Sequence, residues 1–85
     1  MAKVEIYTTM ICPYCHAAKE LLANKDVAYT EISLNKQPDQ RDTMLVRAGG
    51  SHTVPQIFID DAHIGGCDDL YALEDSGELD RILTC

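Results

Sequence analysis

Apolar and polar positions alternate over residues 3–8. Val4, Ile6 and Thr8 fall on one side of the chain, Glu5 and Tyr7 on the other. A period of two in a β-rich run predicts a first strand. The period then changes. Ala17, Ala18, Leu21 and Leu22 recur at helical spacing, with Lys19 and Glu20 off that stripe, so a helix is expected from Pro13 to about Lys25. Pro13 suits the first helical position and Cys12 the N-cap. Asn24-Lys25-Asp26 closes the helix, and Val27 to Leu34 predicts a second strand. Helical spacing returns from Asn35 to Ala48, with Met44, Leu45 and Ala48 on its buried face. Asn35 and Asp39 are the cap candidates there, Pro38 fits the first turn, and Gly49-Gly50 is the stop. Gln56-Ile57-Phe58-Ile59 predicts a buried strand. Asp60-Asp61 turns the chain, and Ala62-His63-Ile64 returns as a short fourth strand. After Gly65-Gly66, a helix is expected from Cys67 to about Asp75. Ser76-Gly77 breaks it, and Glu78 to Leu83 forms a last turn or two.

The element order is therefore β-α-β-α-β-β-α, an α/β chain. The first β-α-β unit should be parallel with a right-handed crossover. The hairpin at 56–64 adds an antiparallel pair, giving a four-stranded mixed sheet with helices on both faces. Eighty-five residues suit one domain spanning 1–85. No repeat, linker or low-complexity segment interrupts the pattern.

Composition narrows the function. Residues 1–50 carry six basic and six acidic side chains, while residues 51–85 carry Arg81 against eight acids. The net charge of −7 thus resides in the last part of the chain. That argues against a nucleic-acid partner, which wants a basic face. The acidic stretch reads as a solvated surface or as a lure for basic partner proteins. No apolar run approaches the roughly 18 residues of a membrane span, so no membrane partner is expected. The chain enters a strand almost at once and lacks a signal-peptide pattern, so the expected location is cytoplasmic. A monomer is the default expectation.

The four cysteines are Cys12, Cys15, Cys67 and Cys85. A 12–15 bridge would be a poor staple, because so short a loop constrains little unfolded-chain entropy. C-x-x-C beside a β-α-β pattern reads as redox or metal chemistry. Residues i and i+3 share a helix face, so the two sulfurs can meet. Cys12 at the N-cap can accept first-turn N–H bonds, and the helix dipole favours negative charge there. Its thiol pKa is therefore expected well below the free value of about 8.5. Cys15, one turn inside, should stay protonated. The roles follow: Cys12 attacks and Cys15 resolves, with Tyr14 as an outward apolar wall. The alternative is a zinc half-site, which needs a second pair of ligands. His16, His52, His63 and Cys67 are scattered and supply no paired spacing, so no metal is expected.

Two further stretches carry candidate chemistry. Thr53-Val54-Pro55 precedes a buried strand. Its proline is either an edge device or a cis peptide that turns the Val54 backbone toward the dithiol, where an extended peptide thiol could pair with it. In Gly65-Gly66-Cys67-Asp68-Asp69, two glycines permit close approach and a helix start offers N–H groups to a carboxylate. Asp68 and Asp69 either bind an amine or serve as dipole partners. His16 is either a proton donor or a half-exposed helix side chain. Cys67 is a small N-cap residue or a thiol that forms mixed disulfides. Cys85 is expected to be exposed and able to cross-link two chains.

These three motifs together, C-P-Y-C at 12–15, T-V-P at 53–55 and G-G-C-D-D at 65–69, resemble the dithiol glutaredoxins, in particular the small bacterial ones. The resemblance covers essentially the whole chain. It implies a thioredoxin-like fold with strand order 2-1-3-4 and a glutathione-dependent thiol–disulfide oxidoreductase. By that resemblance Cys12 is the nucleophile and Cys15 the resolving thiol. Thr53 and Val54 pair with the cysteinyl part of glutathione beside cis-Pro55. Gly66, Cys67, Asp68 and Asp69 hold its γ-glutamyl end, Tyr14 flanks the tripeptide, and Arg41 serves the glycine carboxylate, with Gln37 or Lys36 nearby. Glutathione is then the reducing co-substrate. The implied partners are glutathionylated or disulfide-bonded proteins, ribonucleotide reductase among them. One departure stands out. Many family members carry a lysine just ahead of C-P-Y-C, where this chain has Thr8-Thr9-Met10. Weaker glutathione binding is expected for that reason. The rival readings are an iron–sulfur carrier, which Pro13 should disfavour, a thioredoxin-like protein reduced by a flavoenzyme, and a zinc module.

Overall fold

A computed structural model describes residues 2–84. The expectation for Cys85 lies outside the described residues. The elements are β1 (Val4–Thr8), α1 (Pro13–Asn24), β2 (Thr30–Ser33), α2 (Gln40–Arg47), β3 (Gln56–Ile59), β4 (Ala62–Gly65), α3 (Cys67–Ser76) and α4 (Glu78–Leu83). The sheet order is β2-β1-β3-β4. β1 runs parallel to β2 and antiparallel to β3, and β3 pairs antiparallel with β4. This is the mixed sheet that the pattern predicts, in the thioredoxin-like arrangement.

The strand alternation sorts the core into two layers. Val4 and Ile6 of β1 join Ile57 and Ile59 of β3 on one face. Ala18, Leu21 and Leu22 of α1, Leu70 of α3, and Leu79 and Leu83 of α4 pack there. Tyr7 and Phe58, at the opposite parity, face α2 with Leu34, Met44 and Ala48. Side chains alternate across a strand, so one pair of adjacent strands serves both layers. The α2 layer has few apolar residues, and Arg47 extends it. Its guanidinium lies 4.0 Å from the Phe58 ring centroid. It also donates to Glu5 Oε1 at 2.9 Å and to the Tyr7 hydroxyl at 2.9 Å. A planar cation can stack on a ring while its edge is hydrogen-bonded, which an ammonium cannot do as well.

Two element boundaries differ from expectation. The second strand begins at Thr30 rather than Val27. Asp26 takes φ +56 and closes the end of α1, so residues 27–29 are spent returning the chain to the sheet. The second helix begins at Gln40 rather than Asn35. Proline disfavours helical backbone in the residue before it, and Pro38 therefore holds the start back. Asp39 is the N-cap but makes no side-chain cap bond. Asn35 is used elsewhere: its Oδ1 accepts the Met10 N–H. The final turns at 78–83 form the separate helix α4, which starts at Gly77 with φ +80.

Leu22→Ala, at a fully buried position of the larger layer, is expected to cost about 2–5 kcal/mol. The check is a lower urea midpoint with an unchanged denaturant slope. Val46→Ala, on the open side of α2, is expected to stay within about 0.5 kcal/mol of wild type. Equal losses at the two positions would contradict this core.

Candidate active site

Sheet direction gathers the three motifs. In the antiparallel register Tyr7 faces Gln56, so the end of β1 meets the start of β3. β3 and β4 are also antiparallel, so the end of β4 returns to that same edge. Residues 9–15, 53–55 and 65–69 flank these three strand ends. They are far apart in sequence and converge only because of the strand directions.

The dithiol sits at the start of α1. Cys12 is the N-cap, in extended backbone, and Pro13 occupies the first helical position. The Cys15 N–H donates to Cys12 Sγ at 3.1 Å. The first N–H groups of a helix lack intrahelical acceptors, and here a sulfur supplies one. A donor aimed at that sulfur, at the positive end of a helix, supports negative charge on it. Both cysteines are free thiols. Cys15 is 1% exposed. Burial, with the Cys12 side chain next in weight, pushes its thiol up to about 12. Cys15 is thus held as a neutral thiol, as its place one turn inside the helix suggests, while Cys12 Sγ accepts a backbone N–H.

Val54–Pro55 is a cis peptide bond, as the second of the two expectations for this stretch had it. Val54 O lies 3.8 Å from Cys12 Sγ. A cavity of about 290 Å³ opens beside it. Thr53, Val54 and Pro55 form one wall, and Gly66, Cys67, Asp68 and Asp69 form another, with Tyr14 at the rim. Gly65 has φ +122, and a Cβ there would collide with the Asp69 carboxylate. Any other residue would therefore disturb the turn into α3.

The G-G-C-D-D stretch divides its duties. Gly66, not Cys67, is the N-cap of α3. Cys67 is the first helical residue and is buried in the larger core layer. Burial raises its thiol, and the neighbouring Asp68 carboxylate raises it further. Asp69 Oδ2 accepts the Gly66 N–H at 2.9 Å, so this acid is a capping partner. Asp68 is exposed on the cavity wall. The leading amides of α3 have no intrahelical acceptors by position and open onto the same space.

Arg41 does not line this cavity. Its Nη1 donates to His52 O at 3.4 Å. A second hollow of about 410 Å³ is lined by Thr9, Met10, His16, Lys19, Lys36 and Gln37, among others. Lys19 and Lys36 share it with Thr8-Thr9-Met10, the stretch set apart above. Lys19 there is tied to Glu31, 2.9 Å away. Gln56, which belongs to none of the three motifs, and His63, a candidate only among scattered metal ligands, also line the first cavity. Gln56 reads as an ordinary strand residue, and its polarity at a buried position was the available signal. Among the described residues, no group of three or more His, Cys, Asp or Glu could hold a metal ion. No helix of the described residues is long and apolar enough to cross a membrane.

Comparison with known proteins gives a consistent result. A model of the glutaredoxin family matches residues 4–64. The chain is similar to glutaredoxin 3 of Escherichia coli (strain K12), with 55% identity over 83 residues, covering 98% of this chain and 99% of that one. It is 52% identical over 84 residues to a glutaredoxin of Pseudomonas aeruginosa, covering 99% of each chain. The solution structure of a glutaredoxin from Brucella melitensis superposes with a TM-score of 0.83 at 53% identity, over 98% of this chain and 89% of that one. The crystal structure of a buckwheat glutaredoxin–glutathione complex superposes with a TM-score of 0.89 at 30% identity, over 98% of this chain and 77% of that one.

The buried Cys15 thiol gives a pH dependence of stability. Below pH 9.0, the ordinary value, folded and unfolded chains both hold this proton and its contribution is complete. From there to about 12 the unfolded chain releases the proton first, so stability falls as pH rises. Cys15→Ser removes this ionisation. Above pH 9 the urea midpoint of wild type is expected to fall more steeply than that of Cys15→Ser. Parallel curves would refute the burial of a neutral thiol.

Proposed function

This chain belongs to the glutaredoxin family, and we propose that Cys12 is its nucleophile, Cys15 its resolving thiol and the cavity beside Val54 its glutathione site. It is a glutathione-dependent thiol–disulfide oxidoreductase. One observation carries the residue assignment: Val54 O lies 3.8 Å from Cys12 Sγ, at the mouth of a cavity whose far wall is a helix start. A tripeptide thiol laid along Val54 would bring its sulfur to Cys12 and its γ-glutamyl carboxylate to the α3 amides.

With a protein–glutathione mixed disulfide, the Cys12 thiolate attacks the glutathione sulfur. The S–S bond breaks, the protein sulfur leaves and takes a proton, and Cys12 is joined to glutathione. The thiolate of a second glutathione then attacks the bound glutathione sulfur. Oxidised glutathione departs, and Cys12 is restored as thiolate. With a protein disulfide, Cys12 forms a mixed disulfide with the substrate. Cys15 loses its proton and displaces the substrate, leaving a 12–15 disulfide for glutathione to reduce. The raised Cys15 thiol suits this order, since it stays inactive until a nearby disulfide is presented. Tyr14 flanks the tripeptide. Thr53, Pro55, Gly66 and Cys67 shape its bed, and Asp68 takes the γ-glutamyl amine. Asp69, engaged with Gly66, acts by holding the α3 start. Arg41, with Lys36 as a second cation and Gln37 as a neutral hydrogen-bond donor, remains the proposed partner of the glycine carboxylate. The protein works in the cytoplasm as a monomeric single domain on glutathionylated and disulfide-bonded proteins. Ribonucleotide reductase is a candidate among them on family grounds.

Turnover of a small glutathione mixed disulfide, coupled to glutathione reductase, tests these roles. Cys12→Ser is expected to abolish it. Cys15→Ser is expected to retain it while losing reduction of a protein disulfide. An inactive wild type that a thioredoxin-type reductase reduces would overturn the reading. Asp68→Asn is expected to raise KM for the glutathione substrate about tenfold, as loss of a charge-assisted bond requires, with kcat little changed.

A further inference from the structure

The segment before β3 is tied to the end of α2 by the Gly50 N–H to Leu45 O and to Arg41 through His52 O. Residues 49–55 are a loop, with Gly49, Gly50, His52 and Thr53 exposed. One buried polar side chain reaches into this loop. Gln56 is 3% exposed. Its Nε2 donates to Thr53 O at 2.9 Å, Thr53 Oγ1 at 3.1 Å and Ser51 Oγ at 3.0 Å. A carbonyl oxygen only accepts, so the amide nitrogen must be the end facing Thr53. Gln56 Oε1 then faces outward, 2.6 Å from His63 Nε2. An amide oxygen only accepts as well, so His63 Nε2 must carry the donated proton. The His63 ring lies over Phe58, centroids 5.1 Å apart. The chain of contacts runs from Phe58 through His63 and Gln56 to the Thr53–Val54 peptide.

That peptide is planar and trans, so its C=O and N–H point in opposite directions. Pinning Thr53 O to buried Gln56 therefore fixes the Val54 N–H in the direction opposite to the Gln56 amide, and Val54 is itself a lining residue of the cavity. We infer that Gln56 and His63 are positioning residues for glutathione recognition. Gln56 orients the Thr53–Val54 peptide, and His63 fixes which end of the Gln56 amide does so. Neither residue touches the reacting sulfurs. The inference rests on the glutathione-site reading above and assigns that site a support.

The test uses the whole protein with His63→Phe and His63→Gln. Phenylalanine keeps a ring over Phe58 but has no donor. Glutamine presents an amide donor at a similar reach. His63 is exposed, so neither change threatens the fold. For His63→Phe, KM for a small glutathione mixed disulfide is expected to rise about five- to tenfold, the effect of one lost hydrogen bond, with kcat unchanged. The rate at which iodoacetamide alkylates Cys12 should stay at the wild-type value. His63→Gln is expected to restore most of the KM. Unchanged KM in His63→Phe, failure of His63→Gln to rescue, or an alkylation rate falling alongside would each overturn the inference. An inactive wild type would instead remove the glutathione reading itself, so the two failures are distinguishable.

Discussion

A helix that starts in the open must find acceptors for its first N–H groups. In this chain a sulfur supplies one, with Cys12 Sγ 3.1 Å from the Cys15 N–H. Much of the fold serves this contact. Buried β1 delivers the chain to the right edge of the sheet, and Pro13 fixes the entry of the helix. Ala18, Leu21 and Leu22 dock α1 onto the sheet, so the helix end cannot drift from Val54. The sulfur that caps the helix is also the one proposed to attack. Stabilising negative charge there serves the local structure and the chemistry together.

The two cysteines differ because their surroundings differ. Cys12 lies beside Val54, which lines the cavity, and accepts a backbone donor. Cys15 is enclosed, and burial keeps its proton on. Three amino-acid positions along one helix turn are enough to separate a sulfur that accepts a helix N–H from one that is fully enclosed. Cys67 illustrates the contrast. It lies on the wall of the same cavity, yet burial and Asp68 both hold it as a thiol.

The polar groups beneath the cavity follow the same economy. Asp69 braces the start of α3 by accepting the Gly66 N–H. Gln56 braces the loop before β3 from the other side. Neighbouring acids therefore have different roles, and Asp68 is left exposed on the cavity wall. On the α2 face of the sheet, Arg47 substitutes for missing apolar volume by lying over Phe58 while bonded to Glu5 and Tyr7.

Periodicity alone was enough for the element order and the two buried layers, because side-chain direction follows backbone repeat. It also marked Cys12-Pro13-Tyr14-Cys15 as a helix start, since Pro and an N-cap thiol are local features. The family resemblance added the strand order and the partners of the other motifs. The sequence overran at Val27 and at Asn35, because a left-handed Asp26 and the conformational effect of Pro38 outweighed local propensity. Asn35 looked like a cap and instead bonds Met10, a contact between residues 25 positions apart. The polarity of Gln56 in an apolar strand was a local signal, but its role and that of His63 come from a hydrogen-bond path across two strands and a loop. The sequence by itself determined which residues could form each element and which sulfur would lie at a helix end, because those depend on neighbours in the chain. Only the tertiary structure decided that three distant motifs meet at one cavity, that Asp69 rather than Asp68 accepts the Gly66 N–H, and that Arg41 lies outside the cavity. Those outcomes depend on strand direction and on side chains meeting through space.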